Sequence, residues 1–250
     1  MKERVCNSDP IQEILRVGKE MYRKGFVVAN QGSISVRVAE DQFLLSASHL
    51  PMEERTEREI HRMDGSGNLV DGSEETTRLH RVHARIHQSR PDVTAVIYAH
   101  PPTAIGFTIA GVSFMDPVVP EMVIRLGGVP TVSSGVMVED GGLKHLQHLL
   151  PFHDGFLLER LGAITLGDSV MDAWGKMELI EQVAQVRHTA RTLGKERVLS
   201  TEEVDHILKE KRGGPSASVS KAKRIMLRRF THTQEETIDI DELAIQSFFD

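Results

Sequence analysis

Residues 92–99 read Asp-Val-Thr-Ala-Val-Ile-Tyr-Ala, with Pro91 in front and His100-Pro101-Pro102 behind. The run is rich in β-branched and apolar residues and has no polar face to give to water, so it predicts a buried strand. A strand of that kind needs neighbours in a sheet and cover on its faces. The flanking chain supplies both. Asp9 and Pro10 open a helix whose apolar positions Ile11, Ile14, Leu15, Met21 and Tyr22 recur near helical spacing, and Gly25 stops it. Strand-like runs follow at 33–38 and 42–46, joined through Ala39-Glu40-Asp41, and the turn Gly65-Ser66-Gly67-Asn68 predicts another hairpin. Residues 76–89 read as a helix that Pro91 ends, and His100-Pro101-Pro102 opens the next one. A strand fits 129–133, a helix 142–150, and a hairpin-like pair 155–158 and 163–166. One long helix fills 168–193, with Gly194 as its stop. Strands and helices mix without strict βαβ alternation. That pattern predicts a mixed sheet covered by helices and not a doubly wound parallel one.

The character changes after residue 197. Ser200 and Glu203 form a capping box for a helix running to Arg212. Residues 213–218, Gly-Gly-Pro-Ser-Ala-Ser, read as a linker. Beyond it Lys221, Lys223, Arg224, Arg228 and Arg229 precede an acidic stretch that includes Asp239, Asp241 and Glu242, in a tail that reads as solvated or as a partner-docking arm. The expected organisation is therefore a domain over 1–197, a helical extension over 198–212, and a linker with a charged tail over 213–250. The net charge of −6 and pI near 6.1 argue against nucleic acid as a partner. Cys6 is the single cysteine, so no internal disulfide forms within one chain. Residues 1–10 lack the apolar core of a signal peptide, and no apolar run approaches the roughly 20 residues of a membrane span. A cytoplasmic protein without membrane contact is the expectation.

Five segments, in this order, carry a family likeness. They are Asn30-Gln31-Gly32-Ser33-Ile34-Ser35-Val36-Arg37; Ser46-Ala47-Ser48-His49-Leu50-Pro51; the stretch from His83 to His100; Pro120-Glu121 with Leu126-Gly127-Gly128-Val129-Pro130; and Leu161-Gly162-Ala163-Ile164-Thr165 with the helix after it. Together they resemble the class II aldolase/adducin family over roughly residues 10–195. The resemblance implies a three-layer α/β/α domain with a mixed, largely antiparallel central sheet. It also implies a homo-oligomer, often a tetramer with sites between subunits, and a small anionic substrate.

The same resemblance implies a zinc ion held by three histidines, with an open position that polarises a carbonyl. Here the His-x-His position reads Tyr98-Ala99-His100, and the third ligand position reads Leu161. Leu79 stands where the family carries an acid. His100 alone is retained as a metal candidate, which leaves the cofactor open and predicts a broken inherited site. Two routes could rebuild it: a shift that brings Glu75, beside Glu74, inward, or the face shared by His80, His83 and His87. On a helix surface such histidines ordinarily sit in water. For the anion, the resemblance points to Asn30, Gly32, Ser33, Ser48 and Thr77, with His49 and Arg78 as departures that add positive charge. Glu121 and Tyr98 are the acid–base candidates. Three functions stay open: an altered or still active carbon–carbon lyase on a small phosphorylated or carboxylated hydroxy-carbonyl compound, a non-catalytic adducin-like oligomerisation or interaction domain, and a metal-independent enzyme using Tyr98, His100 and Glu121.

Overall fold

The computed structural model describes residues 9–46, 49–71, 80–133 and 140–210. In chain order the elements are helix α1 (Pro10–Arg23), strands β1 (Ser33–Ala39) and β2 (Gln42–Ser46), a 3-10 turn (Glu57–Glu59), and strands β3 (Ile60–Asp64) and β4 (Leu69–Asp71). Helix α2 (His80–Ser89), strand β5 (Ala95–Ala99), helices α3 (Pro102–Ile109) and α4 (Pro120–Arg125), strand β6 (Thr131–Val132) and helix α5 (Asp140–Leu149) follow. The hairpin β7 (Gly155–Leu158) and β8 (Gly162–Gly167) leads into the long helix α6 (Val170–Leu193) and then α7 (Thr201–Glu210).

The eight strands form one sheet in the order β4-β3-β2-β1-β5-β8-β7-β6. Every neighbouring pair is antiparallel except β6 and β7, which run parallel. Of the run 92–99, residues 95–99 form β5, at the centre of the sheet and buried along its whole length, while Asp92 stays exposed. Side chains alternate across a strand, and here both faces find cover. Ile97 and Ala99 join Ile34, Val36 and Ala163 under α1 and α6. Val96 and Tyr98 turn the other way, towards Val82 and Ile86 of α2 and Leu146 and Leu149 of α5. The result is a mixed, largely antiparallel sheet between two helical layers, the α/β architecture expected.

Helix α6 begins at Val170 because Ser169 caps it, its hydroxyl accepting from the Asp172 amide. Three charged residues of this helix, Lys176, Glu181 and Arg187, are buried. Helix α4 does not emerge from the periodicity of the sequence. It is six residues long, too short for a 3.6-residue repeat to declare itself. Within the stretch 198–212, α7 seats Val204 and Leu208 against Val123 of α4. Among the described residues no helix is long and apolar enough to cross a membrane.

Candidate functional site

Sheet register brings three of the family-like segments to one place. Ser33 lies opposite Tyr98 across the β1–β5 pair, and Ala99 lies opposite Ala163 across β5–β8. The turn Gly32-Ser33, the strand end Tyr98-Ala99-His100 and the turn Leu161-Gly162 therefore meet at one end of the sheet. Two glycines make the approach possible. Gly32 has φ +82°, and a Cβ there would lie 2.5 Å from Val27 Cγ1. A Cβ on Gly162 would lie 2.4 Å from the Ala99 carbonyl oxygen and 3.0 Å from Tyr98 Cε2.

Tyr98 and His100 form a pair. The phenol oxygen lies 3.0 Å from His100 Nε2, and the rings meet edge to face with centroids 4.8 Å apart. Burial pushes the Tyr98 phenol up to about 12 and the His100 imidazole down to about 4. Both groups are therefore neutral at neutral pH. His100 Nδ1 is buried without a hydrogen-bond partner, a condition that costs about 1–3 kcal/mol. Leu161 packs against the apolar cluster that contains Tyr98. Zinc asks for three or four N, O or S ligands, with oxygen ligands deprotonated. One imidazole, one protonated phenol and a leucine do not meet that requirement. Among the described residues no group of three His, Cys, Asp or Glu side chains is placed to hold a metal ion. Glu74, Glu75 and Leu79 lie outside the described residues.

A buried carboxylate anchors the segment after His100. Glu181 of α6 accepts from the backbone amides of Thr103, at 3.1 and 3.2 Å, and of Ala104, at 3.1 Å. These are amides of the first turn of α3, where a negative charge also meets the helix dipole. Nothing in the spacing of α6 distinguishes Glu181 from the less buried Glu178, so the sequence did not reveal it. Glu121 is exposed in the first turn of α4, a helix packed on α6 and α7. No hydrogen bond joins its carboxylate to Tyr98 or His100.

The anion-loop residues divide. Asn30 and His49 are exposed, and Gly32 is buried at its turn. Ser48, Thr77 and Arg78 lie outside the described residues. Ser33 is buried, and its hydroxyl lies 2.8 Å from His83 Nε2. The same imidazole reaches Ser35 Oγ through Nδ1 at 2.7 Å, and Ser35 Oγ reaches His87 Nε2 at 2.8 Å. This corrects the expectation for the histidine face of α2. His83 and His87 are only 1% and 3% exposed, so this face is turned into the protein, and they bond to Ser33 and Ser35 on alternate positions of β1. Burial drives His83 down to about 3, and burial followed by the nearby Arg37 charge holds His87 well below its ordinary value.

Arg55 is a further residue that the sequence did not single out. It stands in the charged stretch Glu53–Glu59, which reads as a solvated face, yet it is only 3% exposed. Its guanidinium donates to the carbonyls of Asn30 at 2.8 Å, Gly32 at 3.3 Å, Ser46 at 3.2 Å and Leu50 at 3.1 Å. It also reaches Ser46 Oγ and Met52 Sδ, each at 3.2 Å.

With this geometry in hand, known proteins offer a direct comparison. The family model described as "Class II Aldolase and Adducin N-terminal domain" matches residues 12–188, and the chain belongs to that family. It is 25% identical over 184 residues to the 3-oxo-tetronate 4-phosphate decarboxylase of Cupriavidus necator, covering 72% of this chain and 84% of that protein. It is 27% identical over 202 residues to the L-fuculose phosphate aldolase of Escherichia coli K12, covering 80% and 92%. A solved structure of an L-fuculose 1-phosphate aldolase superposes with a TM-score of 0.73 at 21% identity, over 84% of this chain and 99% of that one. At that identity the superposition speaks for the fold.

Proposed function

We propose that this class II aldolase-family chain binds a small phosphorylated or carboxylated hydroxy-carbonyl compound where β1, β5 and β8 end together, with the zinc-dependent carbon–carbon lyase chemistry altered or lost. The observation that carries the reading is the Tyr98–His100 hydrogen bond, formed where the resemblance would put two zinc-binding histidines, with Leu161 in place of the third. Relatives named for phosphorylated sugars and acids support the ligand class.

The pair has a definite chemistry of its own. A protonated phenol donates to His100 Nε2, and the neutral imidazole then carries its proton on Nδ1. That N–H lacks a protein acceptor and is available to a carbonyl or hydroxyl oxygen of a ligand. Such a donor orients and polarises an oxygen, but a neutral N–H stabilises an enediolate far less than a divalent cation does. Carbon–carbon cleavage therefore lacks its strongest electrophile.

Calorimetric titration of the purified chain with inorganic phosphate and with a triose phosphate tests this. Both are expected to saturate, the triose phosphate more tightly. Tyr98→Phe removes the bond that fixes His100 and is expected to weaken the triose phosphate by about tenfold while leaving inorganic phosphate unchanged, the worth of about one hydrogen bond. Absence of binding by either compound would refute the ligand class and favour a non-catalytic, adducin-like interaction domain.

A further inference from the structure

We propose that Arg55 is the positioning residue of the anion pocket, a single buried guanidinium that fixes the turn at 30–32 relative to Ser46 and Leu50. The inference rests on the ligand class proposed above and concerns how that site is held. Three features of the contacts support it.

The first is reach. Asn30 and Gly32 belong to the turn before β1, Ser46 ends β2, and Leu50 lies in the loop beyond it. Arg55 donates to all four carbonyls at once. Only a planar fork with five N–H donors can bridge so many acceptors from one side chain. A lysine ammonium has three donors and no fork.

The second is direction. A pocket that binds an anion through loop backbone must present N–H groups and turn C=O groups away, because a carbonyl oxygen repels the ligand. Four carbonyls of the two loops point at Arg55. The cation thus withdraws from the pocket the dipoles that would oppose binding.

The third is charge. Burial lowers the guanidinium to about 10, with Glu59 acting the other way, so it stays protonated at neutral pH. The Glu59 carboxylate itself takes hydrogen bonds from the amide and hydroxyl of Thr56. In a buried setting, a positive charge raises the potential felt by an anion nearby without touching it.

The test uses the full chain, wild type and Arg55→Lys, with Arg55→Met as a second variant. Inorganic phosphate is titrated calorimetrically well below the unfolding temperature, and amide hydrogen exchange is read by peptide over 26–33 and 46–52. Arg55→Lys keeps the charge and loses the fork. The expected result is at least a tenfold loss of phosphate affinity, with exchange rising in those two segments and not in β5 or α6. Arg55→Met, where it folds, loses binding altogether. A wild-type protein that binds phosphate beside an Arg55→Lys protein of equal affinity would overturn the role of Arg55 and leave the ligand class standing. So would a variant that is less stable throughout but binds phosphate normally. A wild-type protein that binds no phosphate removes the ligand class, and this inference with it.

Discussion

Lowering the pH from about 7.5 to about 5 is expected to destabilise the fold by roughly 4 kcal/mol, from the burial of two histidines alone. In the folded protein His83 is pushed down to about 3 and His87 well below its ordinary value, while in the unfolded chain each titrates near 6.5. Below that pH the unfolded chain takes up protons that the folded chain refuses. The stability is thus complete above about 6.5 and is lost as the pH falls towards the folded values, at about 1.4 kcal/mol per unit for each histidine. The physical cause lies in the Ser33–His83–Ser35–His87 chain of hydrogen bonds, which gives each neutral ring partners on both sides or nearly so and gives an added proton no carboxylate. Urea midpoints measured across this range would show the slope, and His83→Gln, which cannot titrate, should remove the share of His83, about 2 kcal/mol of the loss. A midpoint that stays level between about 7.5 and about 5 would contradict this account of the α2 face.

Arg187→Met is expected to cost about 4 kcal/mol, within the range measured when one partner of a buried ion pair is removed. For a chain of this size that corresponds to a fall in Tm of roughly 10 °C. Arg187 is 1% exposed. It bonds to Glu196, donates to the Ser113 carbonyl at 2.9 Å and reaches Asp116 at 3.5 Å. Its guanidinium also lies over the rings of Phe107 and Phe114, 5.2 and 5.0 Å from their centroids, contacts that add attraction where water is excluded. One side chain of α6 therefore secures the loop after α3 and the segment after α6 together. Burial alone would raise the Glu196 carboxyl, but hydrogen bonds from Arg187 and Arg191 hold it below its ordinary value. Removing Arg187 leaves a partly buried carboxylate with only Arg191, which is why the loss exceeds that of a surface pair. Thermal unfolding reads the effect directly, and a shift of only a degree or two would show that Glu196 finds equivalent solvation.

The layers of this fold were legible where a segment declares its own surroundings. Within 92–99, residues 95–99 are buried on both faces and became the central strand; of the 168–193 stretch, 170–193 kept helical character to Gly194 and became α6. Elements made by context were not. Helix α4 has six residues, too few to set a period, and the strand expected over 129–133 is found but shortened to the two residues of β6. The site divides the same way. Tyr98, His100 and Leu161 could be placed from the sequence because the likeness fixes their positions in a motif, and strand register then brought their segments together. Arg55, Glu181 and Arg187 could not, because a charged side chain reads as solvated until the loops that close over it are known. His83 and His87 fall between these cases. Their shared helix face follows from spacing, but their partners Ser33 and Ser35 lie about fifty residues away on alternate positions of β1, and only tertiary structure turns that face inward.

The central claim is that a family scaffold has exchanged its zinc corner for a neutral Tyr98–His100 pair. Elemental analysis tests it most directly, on untagged protein purified without chelator, soaked in zinc and desalted. The expected result is zinc far below one ion per chain, with no difference between wild type and His100→Ala. One zinc per chain in the wild type, lost in His100→Ala, would contradict the claim and restore the metal-dependent lyase as the function to pursue.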